Sequence, residues 1–109
     1  MGKFIVSQRR NGEYQFNLFA DNGQVILTSE GYSSKSNCLN GVASVIKNSA
    51  DIDKFDRRTS ANGKHYFNLK ATNGQIIGTS QMYESLASRE NGIYSVQINA
   101  SRSDLIDQG

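Results

Sequence analysis

The sequence predicts an α+β protein: two tandem β-β-β-α(-β) repeats with pseudo-two-fold symmetry, sharing one antiparallel sheet with two helices packed on it. Three observations carry this. NGEYQFNLFADNGQVILTSEGYSS from Asn11 returns as NGKHYFNLKATNGQIIGTSQMYES from Asn62, at one fixed offset (62 − 11 = 51). Sliding residues 3–53 over residues 54–104 leaves about two positions in five identical, the mark of a tandem duplication. Asn-Gly steps then punctuate runs that alternate with the period of a strand, and apolar residues take up helical spacing after each third run.

Phe4-Ile5-Val6 opens the first repeat as a strand, and Phe55 opens the second, where Asp56-Arg57-Arg58-Thr59 makes a far more polar continuation. The second strands are Tyr14–Ala20 and His65–Ala71, in which alternation places Phe16, Leu18 and Ala20 on one face. Six of the ten glycines follow an asparagine, at Gly12, Gly23, Gly41, Gly63, Gly74 and Gly92. Between alternating runs that step signals a two-residue type I′ turn, so Gly12, Gly23, Gly63 and Gly74 close hairpins. A two-residue turn at Asn22-Gly23 sets Asn17 opposite Thr28, and its copy sets Asn68 opposite Thr79.

Tyr32-Ser33-Ser34 and Tyr83-Glu84-Ser85 then offer a serine N-cap behind an aromatic residue. Leu39, Val42, Val45 and Ile46 recur at helical spacing, matched by Leu86, Ile93, Tyr94 and Val96. Gly41 and Gly92 fall inside these helices, where glycine costs about 1 kcal/mol relative to alanine. Keeping that cost in both copies implies that each helix crosses the sheet closely there, where a side chain would hold it off.

At 109 residues the chain makes one domain, with two repeats at 3–53 and 54–104 sharing a core. A hydrophobic content of 37% and a mean hydropathy of −0.54 describe a soluble protein. No apolar run is long enough for a bilayer, the first residues lack a signal-peptide pattern, and the lone Cys38 fits a reducing compartment, so a cytoplasmic location without membrane contact is expected. A net charge of +2 is too small to mark a committed nucleic-acid binder.

The doubled pattern NG-x-x-x-FNL-x-A-x-NGQ-x-I-x-TS, followed by Tyr and a helix containing Asn-Gly, resembles the YegP-like family of small bacterial proteins across essentially the whole chain. The resemblance implies two β(3)-α-β units in a single antiparallel sheet with their C-terminal strands exchanged. It also implies kinship with single-repeat homodimers, a tandem chain being similar to a fused dimer. The family brings no established biochemical function, so it assigns no functional residue. The repeats differ at Phe19/Lys70, Leu27/Gly78, Cys38/Arg89 and Leu39/Glu90, which argues against identical use of the two halves.

Residues retained in both copies make the first candidate surface: Asn17, Thr28, Tyr32, Asn68, Thr79 and Tyr83. Cross-strand Asn–Thr bonding also explains the first, second, fourth and fifth without a ligand. Packing at the start of each helix explains the tyrosines. A candidate basic patch comprises Arg9, Arg10, Lys54, Arg57, Arg58 and Lys64, which beside Tyr14, Phe19 and Tyr66 would suit single-stranded nucleic acid. Solvated edge charges explain the same residues. Catalysis finds little support. The only histidine, His65, has no nucleophile in its pattern, Cys38 reads as a packed helix residue, and nothing has zinc or phosphate-loop spacing. The expectation is a non-enzymatic binding module without metal or cofactor, whose partner is a protein or a second copy on the sheet. Weak nucleic-acid binding and an atypical enzyme site near His65 are the alternatives.

Overall fold

The computed structural model describes residues 2–108. In chain order come β1 (Gly2–Gln8), β2 (Tyr14–Phe19), β3 (Val25–Ser29), α1 (Lys35–Asn48), β4 (Phe55–Thr59), β5 (His65–Lys70), β6 (Ile76–Thr79), α2 (Leu86–Ser101) and β7 (Ser103–Asp107), with a short 3-10 turn at Ile52–Lys54. The seven strands form one sheet in the order β4-β5-β6-β3-β2-β1-β7. Its pseudo-two-fold axis passes between β3 and β6, which pair antiparallel with Thr28 opposite Thr79.

The sheet is not wholly antiparallel. β7 runs parallel to β1, with Gly2 opposite Ser103 and Val6 opposite Asp107. α2 runs back across the sheet, its Asn99 meeting Gly2, and delivers the last strand to the far repeat in that direction. The strand exchange is also one-sided. The counterpart of β7 is residues 52–56 (103 − 51 and 107 − 51), and these form the 3-10 turn and the start of β4. The chain there must become the next repeat's first strand, so β4 pairs with β5 alone and forms an edge.

That difference explains where the repeats diverge. Val6 is buried beside β7, its carbonyl accepting from the Gln108 amide at 2.8 Å, with Cys38 buried on the same flank. At the bare edge Arg57 stands in place of Val6, and Arg89 and Glu90 in place of Cys38 and Leu39. The Arg57 guanidinium donates Nε to both Glu90 oxygens at 2.9 Å, and Arg89 Nε reaches Glu90 at 3.2 Å. An apolar flank has become an ionic one, which also discourages edge-to-edge pairing.

All four hairpin turns share one geometry, and it is not type I′. In the second, Gly23 N–H donates to Ala20 C=O at 2.9 Å and Ala20 N–H to Gln24 C=O at 2.9 Å. Only Gly23 has positive φ, at 82°, and Asn22 Oδ1 accepts from Gln24 N–H at 3.0 Å. This is a type I turn closed by a left-handed glycine, a three-residue loop. The register of the distant pairs nevertheless matches the expectation, because a bulge between Leu18 and Phe19 restores the residue that the longer loop removes. Asn17 therefore still faces Thr28, and Asn68 faces Thr79.

One core lies between the sheet and both helices. Phe4, Phe16, Leu18, Phe67 and Leu69 meet Val42, Val45, Ile93 and Val96. Phe4 and Phe16 pack edge to face at 5.7 Å, and Phe55 and Phe67 repeat the contact at 5.5 Å. Cys38 and Ala100 complete it, whereas Ile46, Leu86 and Tyr94, expected inside, are exposed. Each residue turns the helix by about 100°, so a stripe through Ile93, Val96 and Ala100 leaves Tyr94 outside. At the axis only one large side chain fits. A Cβ on Gly78 would lie 2.9 Å from Leu27 Cγ, so leucine in one repeat requires glycine in the other.

Candidate functional site

Each helix starts over its own repeat, and the clefts it borders are closed by the hairpin of the other. Ser34 and Ser85 cap α1 and α2, each Oγ accepting a backbone N–H at 3.1 Å. Gly41 and Gly92 lie against the hydroxyls of Tyr32 and Tyr83, and a Cβ at either position would collide with that oxygen. The close approach expected at these glycines is thus to a tyrosine that stacks on Phe16 or Phe67, at 6.3 and 6.4 Å. The tyrosines are held by strand-like bridges to Tyr14 and His65.

A cleft of about 850 Å³ opens between α1 and the β5–β6 hairpin, and a shallower extension of about 390 Å³ continues along α1 past Lys47 to Asn48. A smaller cleft of about 230 Å³ opens between α2 and the β2–β3 hairpin. The two are copies across the pseudo-two-fold axis. Tyr32, Asn40, Gly41 and Ser44 of the first correspond to Tyr83, Asn91, Gly92 and Ser95 of the second. From the hairpins, Ala71, Asn73, Gln75 and Ile77 correspond to Ala20, Asn22, Gln24 and Ile26. Of the ten residues lining the smaller cleft only Gln81 and Ser88 lack an identical counterpart (10 − 2 = 8), well above the agreement of the repeats as a whole.

Most polar residues retained in both repeats have work inside the fold. Ser29 and Ser80 accept the Phe16 and Phe67 amides at 2.9 and 3.0 Å. Asn48 and Asn99 bond back to the Ser44 and Ser95 carbonyls at 2.8 and 2.9 Å. Asn22 and Asn73 shape their turns through Gln24 and Gln75 N–H. The side chains of Asn40, Asn91, Gln24 and Gln75, and the Tyr32 and Tyr83 hydroxyls, bond to no other described residue. All of them line a cleft. Burial, with the Cys38 thiol and the Glu30 carboxylate nearby, raises the Tyr32 phenol above its ordinary value, so it stands as a neutral hydroxyl.

The structure divides the residues singled out in the sequence. Tyr32 and Tyr83 line the clefts. Asn17, Thr28, Thr79 and Asn68 form one row across the opposite face of the sheet, with Thr79 Oγ1 donating to Asn68 Oδ1 at 2.8 Å. They belong to no common surface with the tyrosines, because alternation along each strand puts them on the face away from the helices.

The basic residues do not form one patch either. Arg9 and Arg10 sit at the β1–β2 turn, and Lys54, Arg57, Arg58 and Lys64 lie around β4 and its turn, at the other end of the sheet order. Several are already paired: Arg9 with Glu13, Arg57 with Glu90, Arg58 with Asp56 and Lys64 with Glu84. His65 Nδ1 lies 3.5 Å from Thr59 Oγ1 at the sheet rim, and Cys38 is buried, its thiol pushed up by burial and by Asp107. Among the described residues no His, Cys, Asp and Glu side chains group to hold a metal ion, and no helix is long and apolar enough to cross a membrane. Sequence reasoning passed over Asn40, Asn91, Gln24 and Gln75, whose signal was retention in both repeats without a turn or cap to explain the side chain.

Known proteins agree with this architecture. The family model described as "Domain of unknown function (DUF1508)" matches twice, at residues 10–56 and 60–107. The chain is 49% identical over 108 residues to "UPF0339 protein in ptx operon 5'region" of Stutzerimonas stutzeri, covering 99% of this chain and 97% of that one. It is 47% identical to "UPF0339 protein YegP" of Escherichia coli K12, over 97% of this chain and 96% of the relative. The solution NMR structure of E. coli yegP superposes with a TM-score of 0.93 at 47% identity, covering 98% of this chain and 92% of that one. A UPF0339 protein from Shewanella oneidensis superposes at 0.92 with 48% identity, covering 97% and 90%. With two tandem matches and full-length relatives of this similarity, the chain belongs to the DUF1508 family.

Proposed function

We propose that the chain is a non-enzymatic binding module, built like a fused homodimer, whose paired clefts receive polar groups of a partner. One observation carries this: the duplicated set of Tyr, Asn and Gln side chains whose hydrogen-bonding capacity the fold leaves unused. Polar side chains over an apolar floor of Ala71 and Ile77 suit ligand recognition, the amides fixing orientation and the floor contributing burial. The clefts support this better than the open sheet face, where the Thr79 hydroxyl is already bonded to Asn68. A non-catalytic reading is supported by His65 having only Thr59 at its Nδ1, and by Cys38 being buried.

The test is an amide NMR titration of labelled protein with a panel of small amides, alcohols and amines, and separately with a single-stranded oligonucleotide. Shifts centred on Tyr32, Asn40 and Gln75, or on Tyr83, Asn91 and Gln24, that vanish in the Asn40→Ala/Asn91→Ala variant are expected. Shifts that fall instead on Arg9, Arg10, Lys54, Arg57, Arg58 and Lys64, and fade with salt, would replace this reading by nucleic-acid binding.

A further inference from the structure

The two clefts differ in charge, and the charge difference lies at one position. Where the smaller cleft has Gln81 and Ser88, the larger has Glu30 and Asn37. Glu30 is exposed and forms no ion pair with any described residue. No lysine or arginine lines the larger cleft, and Lys47 belongs only to the extension along α1. With no other carboxylate and no basic group in the lining, the Glu30 carboxylate sets the field there.

We infer that the larger cleft takes an alkylammonium group, and that the smaller cleft does not. This rests on the binding-module reading and specifies one of its two sites. An ammonium carries three donors and no acceptor, so it needs several acceptor oxygens. Glu30, Tyr32 and Asn40, from α1 and the loop before it, supply a carboxylate, a phenol oxygen and an amide oxygen, and Gln75 supplies a second amide oxygen from the hairpin wall. An alkyl stem needs an apolar surface beside its charged head. Ile76, Ile77 and Ala71 supply it, and Ile76 is 39% exposed. The corresponding residue of the first repeat, Val25, lines no part of the smaller cleft, so that copy lacks part of the stem surface as well as the charge. A free diamine and a lysine side chain within a peptide share this chemistry.

The two clefts of one molecule provide the control. Labelled protein is titrated with 1,5-diaminopentane, with its uncharged analogue 1,5-pentanediol, and with N-acetyl-lysine methylamide. The diamine or the lysine derivative is expected to shift the amides of Tyr32, Asn40 and Gln75, and the diol to bind at least about tenfold more weakly, the loss of a charged hydrogen bond. Tighter binding of the diamine would identify a free amine as the ligand, and tighter binding of the lysine derivative a peptide. Glu30→Gln should remove the preference, and Gln81→Glu should bring amine-dependent shifts to Tyr83 and Asn91. Both positions are exposed, and the dispersion of the amide spectrum reports the fold of each variant. Equal binding of diamine and diol, unchanged by Glu30→Gln, would overturn the ammonium assignment and leave the binding module standing. Silence of both clefts toward every probe would overturn both.

Discussion

Replacing Gly78 by alanine puts a methyl group where the two repeats meet. That carbon would lie 2.9 Å from Leu27 Cγ, 3.1 Å from Leu27 Cδ2 and 3.1 Å from the Thr28 carbonyl oxygen. Leu27 is fully buried, so it has no free direction in which to withdraw. Overpacking of this kind costs about 1–3 kcal/mol. Alanine also restricts the unfolded chain and returns about 0.5–1 kcal/mol. The net expectation is a loss of about 1–2 kcal/mol, each kcal/mol lowering the melting temperature by about 4–8 °C in a domain of this size. Urea unfolding followed by circular dichroism measures it. Leu27→Ala alone should cost about 2–5 kcal/mol by opening a cavity, and in that background Gly78→Ala should cost nothing or stabilise, a coupling of at least about 1 kcal/mol. The exchanged pair Leu27→Gly/Gly78→Leu should recover most of the stability of the parent. If Gly78→Ala is neutral, and has the same effect in the parent and in the Leu27→Ala background, the idea that the axis admits one large side chain is wrong.

Other perturbations probe neighbouring features of the fold. Gly92→Ala should destabilise despite a gain of about 1 kcal/mol in helix propensity, because the Tyr83 hydroxyl occupies the space of the new methyl; adding Tyr83→Phe should restore part of the loss in thermal melts. Ser34→Ala and Ser85→Ala should each cost about 1 kcal/mol by uncapping a helix, additively, since the caps belong to different helices. The Arg57 hydrogen bonds hold the Glu90 carboxyl below its usual range. A depressed folded-state value gives stability that is present above the unfolded value and lost as pH falls through the folded one. Acid titration should therefore erase a contribution of under about 1 kcal/mol, the pair being largely solvated, and Glu90→Gln should flatten that part of the stability–pH curve.

How much of this could be read from the residues depends on the distance over which each feature is determined. The hairpins, their faces and the Asn17–Thr28 register follow from local alternation and the turn glycines. The turn type does not, because both a type I′ turn and a type I turn with a following left-handed glycine place Gly23 at positive φ, and the bulge after Leu18 makes their distant registers coincide. The phase of α2 misled because Leu86, Tyr94 and Ile98 put apolar residues on its solvent side as well. The parallel strand was hidden because it joins residues at opposite ends of the chain. The clefts were hidden because each forms between the helix of one repeat and the hairpin of the other; retention of Asn40 with Asn91 and of Gln24 with Gln75 was the trace they left in the sequence.

The parallel pairing of β1 with β7 brings together residues 101 positions apart (103 − 2) and sets the chain ends at opposite ends of one ladder. A pull on the two termini would draw β1 and β7 past each other along their length. The ladder's hydrogen bonds, from Gly2 and Arg102 at one end to Val6 and Gln108 at the other, would then share the load instead of opening one after another. In mechanical terms the last strand is a shear clamp: the molecule resists extension at the place where its ends are joined, and neither repeat stretches until that seam fails.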